Sequence, residues 1–242
     1  MFSWLSALFG RRGPARISLL HATRGRPDLP LKCRETWLRL ASKPERVEHI
    51  FAVDADDEVG RAALAAYDAK VVETVGLGCV GAWNLAAEHA TGDILVQLSD
   101  DWIPVQGWDD IFEERLGTLR KPRVLVISDG HRPDDLLCMA ILNRKRMEQQ
   151  GWFLPPAYTG VYSDDEFSFR AFEDGVTVEA RDVVLTHAHP NHDPSVPMDE
   201  TYKRQNDNSR YAEAKAIFLQ RNPAAKKRWF VKDSWERRWV KG

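Results

Sequence analysis

The sequence has no strong excess of charge of either sign. Its 242 residues carry 34 Lys and Arg against 36 Asp and Glu, which gives a formal net charge of -2. A general nucleic-acid-binding protein normally carries a marked basic excess, often gathered on one face. The near balance of charge therefore argues against nucleic acid as a partner.

Long apolar runs and paired cysteines are also missing. No apolar stretch approaches the roughly 20 residues that are needed to span a bilayer. The apolar N-terminal segment 1–13 carries its basic pair, Arg11 and Arg12, after the apolar run, whereas a secretory signal has its charge first. The three cysteines are far apart and form no C-x-x-C pair, which predicts free thiols in a reducing compartment. We therefore expect a soluble, cytoplasmic protein.

What is present is an alternation of short β-type runs with helical patterns over residues 14–193. This alternation predicts an α/β fold in three layers, α/β/α, of Rossmann-like type with a mixed, mostly parallel sheet. The β-type runs fall at 17–20, 47–53, 70–75, 94–98, 124–128, 139–142, 176–179 and 183–186. Residues 194–242 become polar and helical, then basic and aromatic, and predict a helical C-terminal extension with one helix over 202–219.

Acidic residues stand where two of these strands end. Asp54 and Asp56 follow the second strand, and Asp100 and Asp101 follow the fourth. In open α/β sheets, ligands bind beyond the carboxyl ends of the strands. Two adjacent carboxylates supply the hard oxygen ligands that Mg²⁺ or Mn²⁺ takes in proteins. The alternative is a solvated acidic loop, since Asp is common at strand ends.

The residues around Asp100 and Asp101 resemble a known enzyme family. A helix with the run Gly81-Ala82-Trp83-Asn84-Leu85-Ala86-Ala87 leads through Ala90-Thr91-Gly92-Asp93 into a strand that ends in Ser99-Asp100-Asp101. This order is similar to that of family 2 glycosyltransferases, which have the GT-A fold. The resemblance covers roughly residues 16–190. It implies a transferase, of hexosyltransferase type, that moves a sugar from a nucleoside diphosphate sugar to a hydroxyl acceptor with Mn²⁺ or Mg²⁺.

The resemblance also implies a role for particular residues. Matching the family's motifs one by one gives a nucleotide-sugar (UDP- or GDP-sugar) site of Thr23, Arg26, Asp54, Asp56, Asn84 and Asp100, a metal site of Asp100 and Asp101, and a catalytic base at Asp164. Two departures matter: Leu98 stands where many members have the first Asp of the metal motif, and Ser163 replaces the usual Glu before the base. Asp164 also reads as part of a helix N-terminus, where acids favour the dipole.

A histidine tract after the last predicted strand leaves two readings open. His187, His189 and His192 are spaced like the zinc ligands of metallo-β-lactamase-type hydrolases, but no His follows His192 and only 49 residues follow Asp193. Many GT-A enzymes instead place a late His near the diphosphate metal, so the resemblance implies His187 or His189 as a further ligand beside Asp101. A third reading is a surface histidine loop.

The acceptor and the reaction class also leave alternatives. A nucleotidyltransferase uses a similar sheet, but it needs a first loop rich in Gly and Lys, and residues 23–27 hold one Gly and no Lys. The acceptor implied is a glycan, a lipid-linked molecule or a small molecule. The basic and aromatic segment 226–239 fits peripheral contact with the inner membrane face, or packing of its Trp residues on the domain.

Overall fold

A computed structural model describes residues 16–65, 67, 69–205, 208–232 and 234–242. The predicted apolar segment 1–13 lies outside these residues. Seven strands form the main sheet and two form a small one: β1 (Ile17–Thr23), β2 (Val47–Asp54), β3 (Lys70–Thr74), β4 (Ile94–Leu98), β5 (Trp102–Ile103), β6 (Val124–Ser128), β7 (Ile141–Asn143), β8 (Thr177–Val184) and β9 (Thr186–His187).

The main sheet has the strand order β3-β2-β1-β4-β7-β6-β8, and β5 pairs with β9. All neighbours in the main sheet are parallel except β7, which runs antiparallel to both β4 and β6. The sheet is therefore mixed and mostly parallel, as the alternation of strands and helices predicts. Its first four strands end at one edge, and this edge carries Asp54 and Asp100.

Helices connect the strands and cover the sheet. They are α1 (Leu29–Leu40), α2 (Glu58–Ala65), α3 (Gly78–Glu88), α4 (Trp108–Leu116), α5 (Arg144–Gln150), α6 (Ser163–Glu173), α7 (Glu200–Gln205), α8 (Asn208–Arg221) and α9 (Ala225–Arg228). Glycine begins or precedes two of them with a positive φ: Gly78 at the start of α3 and Gly107 before α4. A Cβ at Gly78 would lie 2.3 Å from the carbonyl oxygen of Thr159, so this close approach requires glycine.

Two apolar cores lie on opposite faces of the sheet. Side chains alternate along each strand, so Leu19 and Val96 face α1 and α4, while Leu20 and Leu95 face α3 and α6. The first core includes Trp37, Trp108 and Phe112, and the second includes Trp83, Phe167 and Phe169. Helices on both faces give the predicted three layers.

The C-terminal residues join the second of these cores. Phe218, Ala225 and Trp229 are fully buried in the same apolar cluster as Leu20 and Val126. The indole N–H of Trp229 donates to Asp165 at 2.8 Å. Residues 208–229 therefore complete the packing of α6 and do not form a separate unit.

Two elements differ from the sequence prediction. The runs 176–179 and 183–186 fall largely on one edge strand, β8, because its pairing with β6 resumes after a register shift between Val126 and Ser128, while Thr186 belongs to β9. The helix expected over 202–219 is two helices, α7 and α8. Within the described part of the chain, no helix has both the length and the apolar character that crossing a bilayer requires.

Candidate functional site

Asp100 is held in one orientation at the end of β4. Its Oδ1 lies 2.9 Å from His21 Nε2, and its Oδ2 accepts from Thr23 at 3.2 Å and from Arg26 at 3.3 Å. The side chain is only 3% exposed. The partners come from β1 and the loop after it, because β1 and β4 are parallel neighbours with His21 opposite Leu98. The structure therefore brings together the predicted residues Thr23, Arg26 and Asp100.

Asp101 lies beside His187, 3.4 Å from carboxylate Oδ2 to imidazole Nε2. The small β5–β9 sheet makes this contact, since it pairs Trp102 with His187 and stacks their rings at 4.2 Å. Burial opposes ionisation of Asp101, but hydrogen bonds from His187, Ser99 and Tyr202 outweigh it and hold its pKa well below the usual range. Asp101 is therefore a charged carboxylate in a largely buried place.

The acids after β2 are bridged by an arginine. Arg24 donates to Asp54, and it donates to both oxygens of Asp56, with 2.9 Å between Nη2 and Oδ2. Thr74 at the end of β3 also donates to Asp54. The side chain of Asp56 is 75% exposed, so the edge of this cluster is open to a ligand. Arg24 stands in the loop that the sequence singled out, but it was not among the predicted binding residues.

The segment just before and within α7 contacts both Arg26 and Asp101. Asp199 makes two hydrogen bonds with Arg26, at 2.8 and 3.1 Å, and the Tyr202 hydroxyl donates to Asp101 Oδ2 at 3.0 Å. The Arg26 guanidinium sits 4.3 Å from the centre of the Tyr202 ring. The local pattern of 194–205 does not indicate these contacts, since it predicts only a polar extension.

Asp164 lies in the first turn of α6, and its carboxylate has one hydrogen bond, from the backbone N–H of Asp165 at 3.0 Å. Burial and the charge of Asp165 raise the pKa of Asp164 to about 6, although the charge of Arg132 acts in the opposite direction. A carboxylate with a pKa near 6 is suited to proton transfer at neutral pH. Its predicted role as a catalytic base stays a prediction.

Asn84 holds a loop together. Its amide oxygen accepts from the backbone N–H groups of Phe153 and Leu154 at 2.9 and 3.0 Å, and its amide nitrogen donates to the carbonyl of Leu154 at 2.9 Å. The side chain thus fixes the turn after α5 against α3. Its predicted contact with a nucleotide sugar stays a prediction.

Among the described residues, the histidine tract does not form a group of three side chains arranged to hold a metal ion. The rings of His187, His189 and His192 are 5.2 to 6.4 Å apart, and His192 stacks on His131 at 4.1 Å. The Nδ1 of His189 accepts from the N–H of Asn191, and burial lowers the pKa of His189 to about 4. The proton of this neutral ring is therefore on Nε2, which leaves His187 better placed than His189 to bind a metal.

Asp101 and His187 fit a divalent cation that is shared with a substrate. Among the described residues, no group of three or more His, Cys, Asp and Glu side chains is arranged to hold a metal alone. Mg²⁺ is commonly held by one or two carboxylates together with substrate phosphates and water, and an oxygen with an imidazole nitrogen also suits Mn²⁺. Two protein ligands are therefore enough if a diphosphate supplies the others.

No protein-family model and no curated protein matches the sequence, but solved structures match the fold. The mannosyltransferase PcManGT from Pyrobaculum calidifontis, in complex with GDP-Man and Mn²⁺, superposes with a TM-score of 0.65 and 18% identity, over 88% of this chain and 65% of that one. TarS 1–349 from S. aureus, in complex with UDP-GlcNAc, gives a TM-score of 0.56 and 14% identity, over 88% of this chain and 73% of that one. The fold is that of solved glycosyltransferases.

This likeness establishes the fold only, so the activity has to be argued from the residues of the site. The chain spans 65% of the length of the mannosyltransferase. Within the described residues, the sheet edge carries an acid–arginine cluster and a charged Asp101 beside His187, and a carboxylate of raised pKa lies at the start of α6. Sequence reasoning missed His21, whose one signal was a polar ring within an apolar strand, and also missed Tyr202 and Asp199.

Proposed function

We propose that the protein is a metal-dependent glycosyltransferase that moves a sugar from a nucleoside diphosphate sugar to a hydroxyl group. The observation that carries the proposal is the charged Asp101 beside His187 at the end of β4. The solved mannosyltransferase contains GDP-Man and Mn²⁺, and TarS contains UDP or UDP-GlcNAc. Both support a nucleotide-sugar donor here, a UDP- or GDP-sugar.

The donor would lie along the sheet edge, from the end of β2 to the end of β4. Asp54 and Asp56, with Arg24 between them, would bind the nucleoside through their open edge. Thr23, Arg26 and Asp100 come next, and the Arg26 guanidinium supplies a positive charge near the diphosphate. In this arrangement the base and ribose would lie at Asp54 and Asp56, and the phosphates would lie nearer Asp100.

Asp101 and His187 would hold Mn²⁺ or Mg²⁺ at the diphosphate. Asp100, which the sequence also predicts as a metal ligand, would instead contact the donor, because both of its oxygens are held by His21, Thr23 and Arg26. The ion, when bound, neutralises the negative charge that grows on the departing diphosphate. The residues' own part is to keep one carboxylate oxygen and one imidazole nitrogen side by side. The backbone pairing of β5 with β9 does this, because it fixes His187 against Trp102.

Asp164 would act as the base. As the acceptor hydroxyl attacks the anomeric carbon, a new C–O bond forms and the C–O bond to the diphosphate breaks. The hydroxyl proton passes to a carboxylate oxygen of Asp164, and the nucleoside diphosphate leaves with the bonding electron pair. This route inverts the configuration at the anomeric carbon.

The first test is donor binding and turnover with Asp101→Asn. Wild-type protein is screened by thermal shift against UDP- and GDP-sugars with and without Mn²⁺, since a ligand of the native state raises its melting temperature. We expect the substitution to abolish the Mn²⁺-dependent shift and to reduce turnover by about 10²-fold or more. Asp182→Asn is the matched control, because Asp182 is an exposed acid paired with Arg115.

Product analysis separates the possible reactions. Free nucleoside diphosphate together with a glycosylated acceptor supports the proposal, whereas release of pyrophosphate would show a nucleotidyltransferase. Binding of a nucleotide sugar without transfer to glycan, lipid-linked or small-molecule acceptors would show a binding protein. Turnover that Asp101→Asn leaves intact in the presence of Mn²⁺ would overturn the metal assignment.

A further inference from the structure

Two histidines form a buried chain of hydrogen bonds behind Asp100. His21 on β1 and His49 on β2 lie inside the sheet, and both are buried. His21 Nε2 is 2.9 Å from Asp100 Oδ1, and His21 Nδ1 is 3.0 Å from His49 Nε2. Phe51 packs against both rings, with centroids 4.9 Å from His21 and 4.3 Å from His49.

The direction of each hydrogen bond in this chain is set by the Asp100 carboxylate at its end. The Asp100 carboxylate accepts when His21 carries its proton on Nε2. In that tautomer His21 has a bare Nδ1, which accepts from His49 Nε2–H. The second histidine is left with a bare Nδ1 of its own.

The far end of the chain agrees with this direction. His49 Nδ1 is buried and has no hydrogen-bond partner among the described residues. Burial lowers the pKa of His49 well below its ordinary value, and the charge of Arg34 lowers it further. The chain therefore runs from a neutral His49 through His21 to Asp100, with every N–H pointing towards the carboxylate.

We propose that His21 and His49 are positioning residues, which hold the Asp100 carboxylate in a single orientation for the nucleotide-sugar donor. They do so through a one-way chain of hydrogen bonds, in which every N–H points towards the carboxylate. The inference rests on the proposed function, since it assigns Asp100 to the donor. Thr23 and Arg26 hold only Oδ2, so His21 is the described group that fixes Oδ1. Hydrogen bonds that point the same way polarise one another in a buried environment, which strengthens the hydrogen bond from His21 to Asp100.

The tautomers provide a test that does not depend on activity. In full-length protein labelled with ¹⁵N-histidine, NMR distinguishes a protonated from a bare ring nitrogen. We expect His21 and His49 both to carry their proton on Nε2 at neutral pH. A proton on Nδ1 of either ring would break the one-way chain and overturn the proposal.

The second test separates positioning from packing. His49→Leu keeps apolar bulk but removes the N–H that donates to His21, whereas His49→Gln keeps an N–H at about the same distance from the backbone. We expect the donor Kd, measured by calorimetry with Mn²⁺, to rise about tenfold in His49→Leu, the effect of one hydrogen bond of ordinary strength. His49→Gln should recover most of the affinity.

Phe51→Leu is the matched control, because it disturbs the same buried cluster without touching the chain of hydrogen bonds. It should lower the melting temperature as His49→Leu does but leave the donor Kd within about twofold of wild type. Equal losses of affinity in both variants would show a packing role and refute the proposal. If wild-type protein binds no donor, the proposed function fails, and the tautomer measurement still decides whether the chain exists.

Discussion

Three consecutive acids begin α6, and each has a different set of partners. Asp165 accepts from Trp229 and Arg237, and Glu166 accepts from Tyr158, Arg170 and Arg221. Asp164 accepts only the backbone N–H of Asp165 within the described part of the chain. Asp165 and Glu166 therefore stabilise the fold, while Asp164 has a carboxylate oxygen available to accept a proton from a substrate.

At this scale the first prediction concerns Asp164→Asn. We expect kcat to fall by about 10²–10⁴, the usual contribution of a general base, with little change in donor affinity. The folded-state pKa is raised, so ionisation of Asp164 costs stability as the pH rises through about 6. The variant should thus be at least as stable as wild type at pH 8, measured by urea unfolding.

Asp165→Ala is the contrasting variant. It leaves the buried indole N–H of Trp229 and the largely buried Arg237 without their shared acceptor and should lower the free energy of unfolding by roughly 3 kcal/mol. If Asp165→Ala reduced kcat of the folded protein as much as Asp164→Asn, the base would be wrongly assigned.

The pH dependence of the reaction gives a second prediction. Because the base must be ionised, kcat/KM should rise about tenfold per pH unit below 6 and level off above it. The charge of Arg132 lowers the pKa of Asp164, so Arg132→Gln should move the rise of kcat/KM to higher pH. Arg115→Gln, at an exposed ion pair with Asp182, should leave the pH of this rise unchanged.

At the scale of elements, α7 is held to the site by side chains rather than by a core. Asp199 pairs with Arg26, Tyr202 donates to Asp101, and Thr201 donates to the carbonyl of Arg24. These are polar contacts to the residues that would bind the donor. The position of α7 is therefore coupled to the site.

The third prediction is that these contacts hold α7 closed in the absence of ligand. The double variant Asp199→Ala with Tyr202→Phe removes an ion pair and a hydrogen bond, and should speed hydrogen exchange of 199–205 by roughly a hundredfold. Amides of β4 should exchange as in wild type. Lys203→Ala, which removes only an exposed pair with Glu200, is the control, and equal acceleration by it would contradict the prediction.

At the scale of the whole molecule, the C-terminal residues and the sheet domain share one apolar core. Trp229 is fully buried against Phe169 and Phe172. Asp134 and Asp135, in the loop after β6, accept from the backbone N–H groups of Arg237 and Trp239. We therefore expect one cooperative unfolding transition rather than two.

The fourth prediction tests this shared core. Trp229→Ala should lower the free energy of unfolding by about 3–5 kcal/mol, the usual result for a buried aromatic side chain. Trp235→Ala, at a side chain that is 57% exposed, should change it by about 0.5 kcal/mol or less. A separate low-temperature transition in Trp229→Ala calorimetry would show that the extension unfolds independently.

The sequence by itself determined the elements and the acids at their ends. The short β-type runs predicted the strands, and the placement of Asp54, Asp100 and Asp101 after strands predicted a polar sheet edge. These features are local, because a strand's pattern and the residue that ends it lie within a few positions. Asp164 could be placed at a helix start for the same reason.

Only the tertiary structure decided which side chains meet. The pairing of β5 with β9 brings His187 to Asp101, and Arg26 meets Asp199 across 173 positions of sequence. The chain from His49 through His21 to Asp100 depends on the strand order β2-β1-β4. Such contacts follow from how the strands are ordered and how the connections return, and neither is written in the local periodicity of the chain.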